Sequence, residues 1–113
     1  MQSGTRDAAQ MMAARRTAKE LAEFRKAVFD VEEARVSHAL EGGQKIITNK
    51  TIPEEKRKEL YQAIVKHTEE ITRIGDDISA RRVDEIDGVT RIMKERKAMV
   101  EKLKPFGYKP ESE

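Results

Sequence analysis

The sequence predicts an all-α protein built as a long antiparallel helical hairpin or coiled coil. Two observations carry that expectation. From Leu60 the apolar residues Leu60, Ile64, Ile71, Ile74 and Ile78 recur at alternating steps of four and three, with His67 in the same register. That alternation keeps one stripe of side chains facing a neighbouring helix. The second observation is composition. Charged residues make up 39% of 113 and aromatic residues 4%, with no Trp, which suits elongated helices better than a thick layered core. A three-helix bundle with a break near Gly75 is the alternative architecture.

The first helix is expected over residues 5–41. Ala8, Ala9, Ala13, Ala14, Ala18 and Ala22 give it high intrinsic propensity. Leu21, Phe24, Val28 and Val31 mark one face, which Phe29, Val36 and Leu40 widen. Gly42-Gly43 is read as its stop, because Gly takes the left-handed conformation past a helix end at little cost. A loop over 42–52 follows, with Ile46 and Ile47 covering the hairpin end.

Thr51-Ile52-Pro53-Glu54 announces the second helix, with Thr51 as cap, Glu54 reaching back and Pro53 in the first turn. This helix is expected over 53–104, with a possible interruption at 75–77 where Asp76 or Asp77 could serve as a new cap. Gly75 and Gly88 each cost about 1 kcal/mol against Ala in a helix interior. The seam also slips, since Ile78 and Ile86 stand eight residues apart with Arg81, Arg82 and Glu85 between them. It resumes as Ile86, Val89, Met93, Arg96, Val100 and Leu103, with Ile92 beside it. Ile71, Ile74 and Ile78 keep step across Gly75, which favours one continuous helix of nearly 80 Å against about 55 Å for the first. Residues 105–113 read as a mobile tail, so residues 1–113 form a single helical domain.

Unequal helices leave apolar seam uncovered in a monomer. The overhang is expected at the C-terminal end, on Val89, Ile92, Met93, Val100 and Leu103. The interface is therefore assigned to Leu60, Ile64, His67, Ile71, Ile74, Ile78, Ile86, Val89, Ile92, Met93, Val100 and Leu103, covered by a second copy or a partner helix. His67 is read as a polar layer that sets register.

Charge is segregated along the second half. Residues 67–87 hold seven acids against three arginines, whereas 88–110 hold seven bases against Glu95 and Glu101. Bases near a helix C-terminus oppose its dipole. The same stretch gives a second functional expectation, a nucleic-acid accessory protein contacting phosphates through Arg91, Lys94, Arg96, Lys97, Lys102 and Lys104. It lacks a helix-turn-helix pattern and the aromatics used for base stacking.

Ser37-His38-Ala39-Leu40-Glu41-Gly42 resembles the phosphoacceptor stretch of histidine phosphotransfer domains, which are also all-helical. The resemblance covers six residues, with Glu41 where that family carries Lys, and it would make His38 a phosphoacceptor. The simpler reading is a His near a helix C-terminus, favoured by the dipole. Asn49-Lys50-Thr51 matches a glycosylation sequon, which matters only in an exported chain.

No Cys is present, so there is no disulfide framework or thiol nucleophile. No apolar run approaches the roughly 20 residues that span a bilayer. The first twenty residues, with Met11, Met12, Arg15, Arg16 and Lys19, lack the Ser content of a transit helix, and Asp7 and Glu20 oppose it. Phosphate loops, nucleophile elbows and paired metal-binding histidines are missing. The expectation is a cytoplasmic, non-enzymatic protein without cofactor or metal, acting as scaffold, assembly chaperone or adaptor through helix association.

Overall fold

A computed structural model describes residues 3–110, with side chains from residue 10 onward except at 13 and 16. Three helices, α1 (Ser3–Ile47), α2 (Glu54–Ser79) and α3 (Glu85–Leu103), lead into a single 3-10 turn at Lys104–Phe106, and no strand occurs among the described residues. The all-α class holds, in its three-helix form. The second long helix is divided, but at Ala80–Asp84 rather than at Gly75–Asp77.

The chain's contacts give the topology. His67 on α2 meets Glu95 on α3, and Gly88 on α3 packs on Ile78 of α2, so these two helices run antiparallel. Glu32 meets Arg96 and His38 meets Tyr108, so α3 runs in the same direction as α1. Both shorter helices lie along the later part of α1. At 1.5 Å per residue, 45 residues of α1 span about 67 Å of a molecule 78 Å long. Because α2 ends beside Ala18 and Leu21, the beginning of α1 projects past the bundle as a lone helix.

The glycine pair does not end α1. Gly42 lies under the Tyr108 ring, and Gly43 is buried against Ile64 and Leu103. Two neighbouring elements approach the α1 backbone there, so the missing side chains serve close packing and the helix runs on to Ile47. The following turn is held by polar side chains. Asn49 Oδ1 accepts from the Thr51 amide at 3.0 Å and from the Thr51 hydroxyl at 2.7 Å. Thr51 is thereby withdrawn from capping, and Pro53 occupies the position before α2 with no side-chain cap. Arg57 donates to the Ile52 and Ile47 carbonyls at 3.0 and 3.3 Å, tying α2 to the end of α1.

The reversal between α2 and α3 is a Schellman motif. Arg82 N donates to Asp77 O at 2.9 Å and Arg81 N to Ile78 O at 3.0 Å, with Arg81 at φ 58°. Asp84 then caps α3, its Oδ2 accepting from Ile86 N at 3.1 Å. Neither expected breaker breaks the helix. Gly75 stays inside α2, and Gly88 sits buried in the first turn of α3 against Ile78 and Val83.

Burial falls in two apolar clusters. Nearer the α1–α2 turn, Ala39, Ile46, Leu60, Met99, Val100 and Leu103 form a closed core. Nearer the α2–α3 reversal, Ile74, Val89 and Ile92 are buried. The segment after α3 is ordered against the bundle rather than loose. Gly107, at φ 93°, turns the chain, and Tyr108 returns over Gly42 to bond His38 Nδ1 at 2.7 Å. Residues 111–113 of the expected tail lie outside the described residues.

Candidate interaction surface

Every residue expected at the interface is already engaged within the chain. Leu60, Ile74, Val89, Ile92, Val100 and Leu103 are buried, while Ile64, His67, Ile71, Ile78, Ile86 and Met93 are half-buried. The expected C-terminal overhang is thus corrected. The reversal at Ala80–Asp84 folds α3 back between α1 and α2, so the seam is covered by the chain's own helices.

His67 does join two helices, but within one chain. Its Nδ1 lies 2.8 Å from Glu95 Oε2, and Lys102 Nζ lies 3.2 Å from its Nε2. A neutral ring donating from Nδ1 and accepting at Nε2 satisfies both neighbours. His38 is nine residues from the end of α1, since that helix continues past the glycines, so the dipole explanation for it is withdrawn. Its ring packs on Tyr108 with centroids 5.4 Å apart. Among the described residues no group of three or more His, Asp or Glu could hold a metal ion, and no helix is long and apolar enough to cross a membrane.

The basic stretch is also reduced as a surface. Arg96 is 2% exposed and makes a forked pair with Glu32, Nε to Oε2 at 2.5 Å and Nη2 to Oε1 at 3.1 Å. Arg96 cannot reach a phosphate from there. Lys104 pairs with Glu101 at 2.7 Å and Lys102 with His67. Arg91, Lys94, Lys97, Lys102 and Lys104 are exposed, the last two in surface pairs.

What stays uncovered is the early and middle part of α1. Met11, Met12, Leu21, Phe24 and Val31 are exposed, Phe24 by 60%. The other large exposed apolar residue among those described is Tyr61, on α2. Two grooves continue this face onto the bundle. One, of about 630 Å³, opens between α1 and the reversal and is lined by Ala18, Leu21, Ala22, Phe29 and Ile78. Arg25 also lines it, reaching Asp84 at 3.7 Å through Nη2, with a buried Nε that makes no hydrogen bond among the described residues. The second, of about 290 Å³, lies beside Phe24, Ala27, Val28, Val31 and Met93. The sequence did mark Leu21, Phe24, Val28 and Val31 as one apolar face. It did not mark that face as unpaired, because that depends on where α2 stops.

No family model, curated protein or solved structure matches this chain.

Proposed function

We propose that this chain is a non-enzymatic interaction protein, a scaffold, assembly factor or adaptor, that works by helix association through the uncovered face of α1. The observation that carries this reading is the concentration of exposed large apolar side chains between Met11 and Val31, against a bundle whose own seam residues are buried or half-buried. Scattered surface apolar residues need no explanation, but Leu21, Phe24 and Val31 lie within one face of α1, and such a grouping on one helix is a feature of interaction sites. The face combines a projecting helix with two adjoining grooves, a form suited to a helical partner lying alongside. The phosphate-contact reading is weaker, because Arg96 is buried against Glu32, and Lys102 and Lys104 make surface pairs with His67 and Glu101.

The test is site-specific photo-crosslinking in the native cell, with a photoreactive residue at Phe24 and, as control, at Lys97 on α3. Protein adducts at Phe24, with few at Lys97, are the expected result. Adducts equally frequent at both positions, or nucleic-acid adducts concentrated at Lys97, would overturn the reading.

A further inference from the structure

We propose that the pocket beside Gly75, between α1 and α2, binds a small apolar molecule carrying one ammonium group, such as an arylalkylamine. This pocket is separate from the α1 contact face, since none of the exposed apolar residues of that face lines it.

Gly42, Gly43, Gly88 and Gly75 are all helical, but their surroundings differ. At the first three a Cβ would run into a neighbouring side chain, so glycine there serves close packing. At Gly75 a Cβ would meet no heavy atom within 4 Å, although the residue is half-buried. A glycine in a helix interior costs about 1 kcal/mol against alanine, and no close approach of another element offsets it here. What it leaves is space. Gly75 stands one turn after Ile71 on the same side of α2, where a further apolar side chain would have filled the gap toward α1.

That space is a pocket of about 130 Å³ with walls from all three helices: Phe29 and Val36 of α1, Ile71 of α2 and Ile92 of α3. An apolar void of about 150 Å³ takes up benzene, so one ring or a branched alkyl group is the body that fits. Gaps between the helices of a bundle are a recurrent place for small-molecule sites.

Two carboxylates border the pocket, and they are not equivalent. Glu32 is buried with both oxygens held by Arg96, so it forms a wall and has no charge to spare. Glu33 lines the pocket from an exposed position and makes no ion pair or hydrogen bond among the described residues. An apolar recess with one unmatched negative charge at its rim suits a ligand of matching form. The apolar body leaves water while the ammonium stays at the rim, half-solvated, beside Glu33. No lysine or arginine lines the pocket to receive an anion. Beyond the rim the excess charge is also negative. On α2, Glu70 is matched by Arg73 and Asp77 by Arg82, which leaves Glu69 and Asp76. These two do not line the pocket, but their field favours a cation over a carboxylate.

Benzylammonium, benzyl alcohol and benzoate share a ring and differ in charge, which makes them the probes. Added to the full chain at millimolar concentration, benzylammonium should shift the NMR methyl signals of Val36, Ile71 and Ile92. It should bind about fivefold more tightly than benzyl alcohol, the scale of an exposed ion pair, with benzoate the weakest. Glu33→Gln should erase the difference between benzylammonium and benzyl alcohol and leave the alcohol's affinity unchanged. Gly75→Leu puts a side chain into the pocket. It should abolish the shifts from all three probes while circular dichroism shows the helices intact. Methyl signals unmoved by benzylammonium, or moved as much in Gly75→Leu as in wild type, overturn the inference. So does equal affinity of the wild type for benzylammonium and benzyl alcohol, or a preference that survives Glu33→Gln. Either result leaves the crosslinking pattern at Phe24 as it was, so the pocket and the α1 contact face fail separately.

Discussion

Glu32 and Arg96 are 64 residues apart in sequence, yet they form a two-point ion pair with both residues 2% exposed. The pair links α1 to α3 between the two apolar clusters. Arg suits this position because its planar fork matches a carboxylate at two points, so both residues must sit at one register. The apolar neighbours could tolerate α3 sliding along α1. This pair does not, since a shift of one turn would strand two charges in the interior.

Removing one partner should therefore be costly. Arg96→Ala or Glu32→Ala is expected to destabilise the fold by about 3–5 kcal/mol, because an uncompensated charge stays buried. The double variant Glu32→Leu, Arg96→Met should recover most of that loss. Urea denaturation of the single and double variants checks it. Additive losses would show that the pair does not act as a unit.

The reversal should respond to two substitutions in opposite directions. Arg81 holds a left-handed conformation that favours glycine, so Arg81→Gly should stabilise by up to about 1 kcal/mol. Asp84→Ala removes the α3 cap and should cost about 1 kcal/mol. Thermal melts of both variants decide the matter. A stabilising Asp84→Ala would contradict the capping role.

Two helical glycines should also differ in sign. A Cβ at Gly75 meets no heavy atom within 4 Å, so Gly75→Ala should stabilise by about 0.5–1 kcal/mol. A Cβ at Gly88 runs into the Ile78 side chain and comes within 3.1 Å of Val83. Gly88→Ala should lose more through overpacking than helix propensity returns, a net cost of about 1 kcal/mol. Denaturant midpoints measured side by side test the contrast.

Glu70 gives a pH-dependent signal. The hydrogen bond from Arg73 holds the Glu70 carboxyl below the ordinary 4.5; desolvation opposes it, and the positive charge of Arg73 adds a smaller lowering. A depressed carboxyl contributes stability that is full above its unfolded value and fades as pH falls through the folded one. The contribution is therefore intact at neutral pH and disappears in acid. Carboxyl NMR titration should show the Glu70 midpoint rising toward 4.5 in Arg73→Gln. An unchanged midpoint would remove Arg73 as the cause.

Leu60, Ile64, Ile71 and Ile74 identified themselves as seam residues because a period between 3.5 and 3.6 is written into the chain, whatever it packs against. The eight-residue gap from Ile78 to Ile86 likewise marked where the seam is interrupted. The stops were less legible. Gly42, Gly43, Gly75 and Gly88 resemble helix breakers, yet all four are helical, because a glycine serves close approach as readily as a left-handed turn. The actual reversal carries Arg81 where glycine is the usual signal, so local propensity argued against it.

Helix content, the apolar periodicity and the segregation of charge were determined by the sequence alone, since each depends on residues a few positions apart. The tertiary structure decided where α2 ends, which seam is buried and which face stays open. Those outcomes depend on packing Ile78 and Val83 on Gly88 across the reversal and on joining Glu32 to Arg96, 64 residues apart in the chain. Their combined burial outweighs the strain of one left-handed arginine, and that balance moves the uncovered face from the end of the chain to α1.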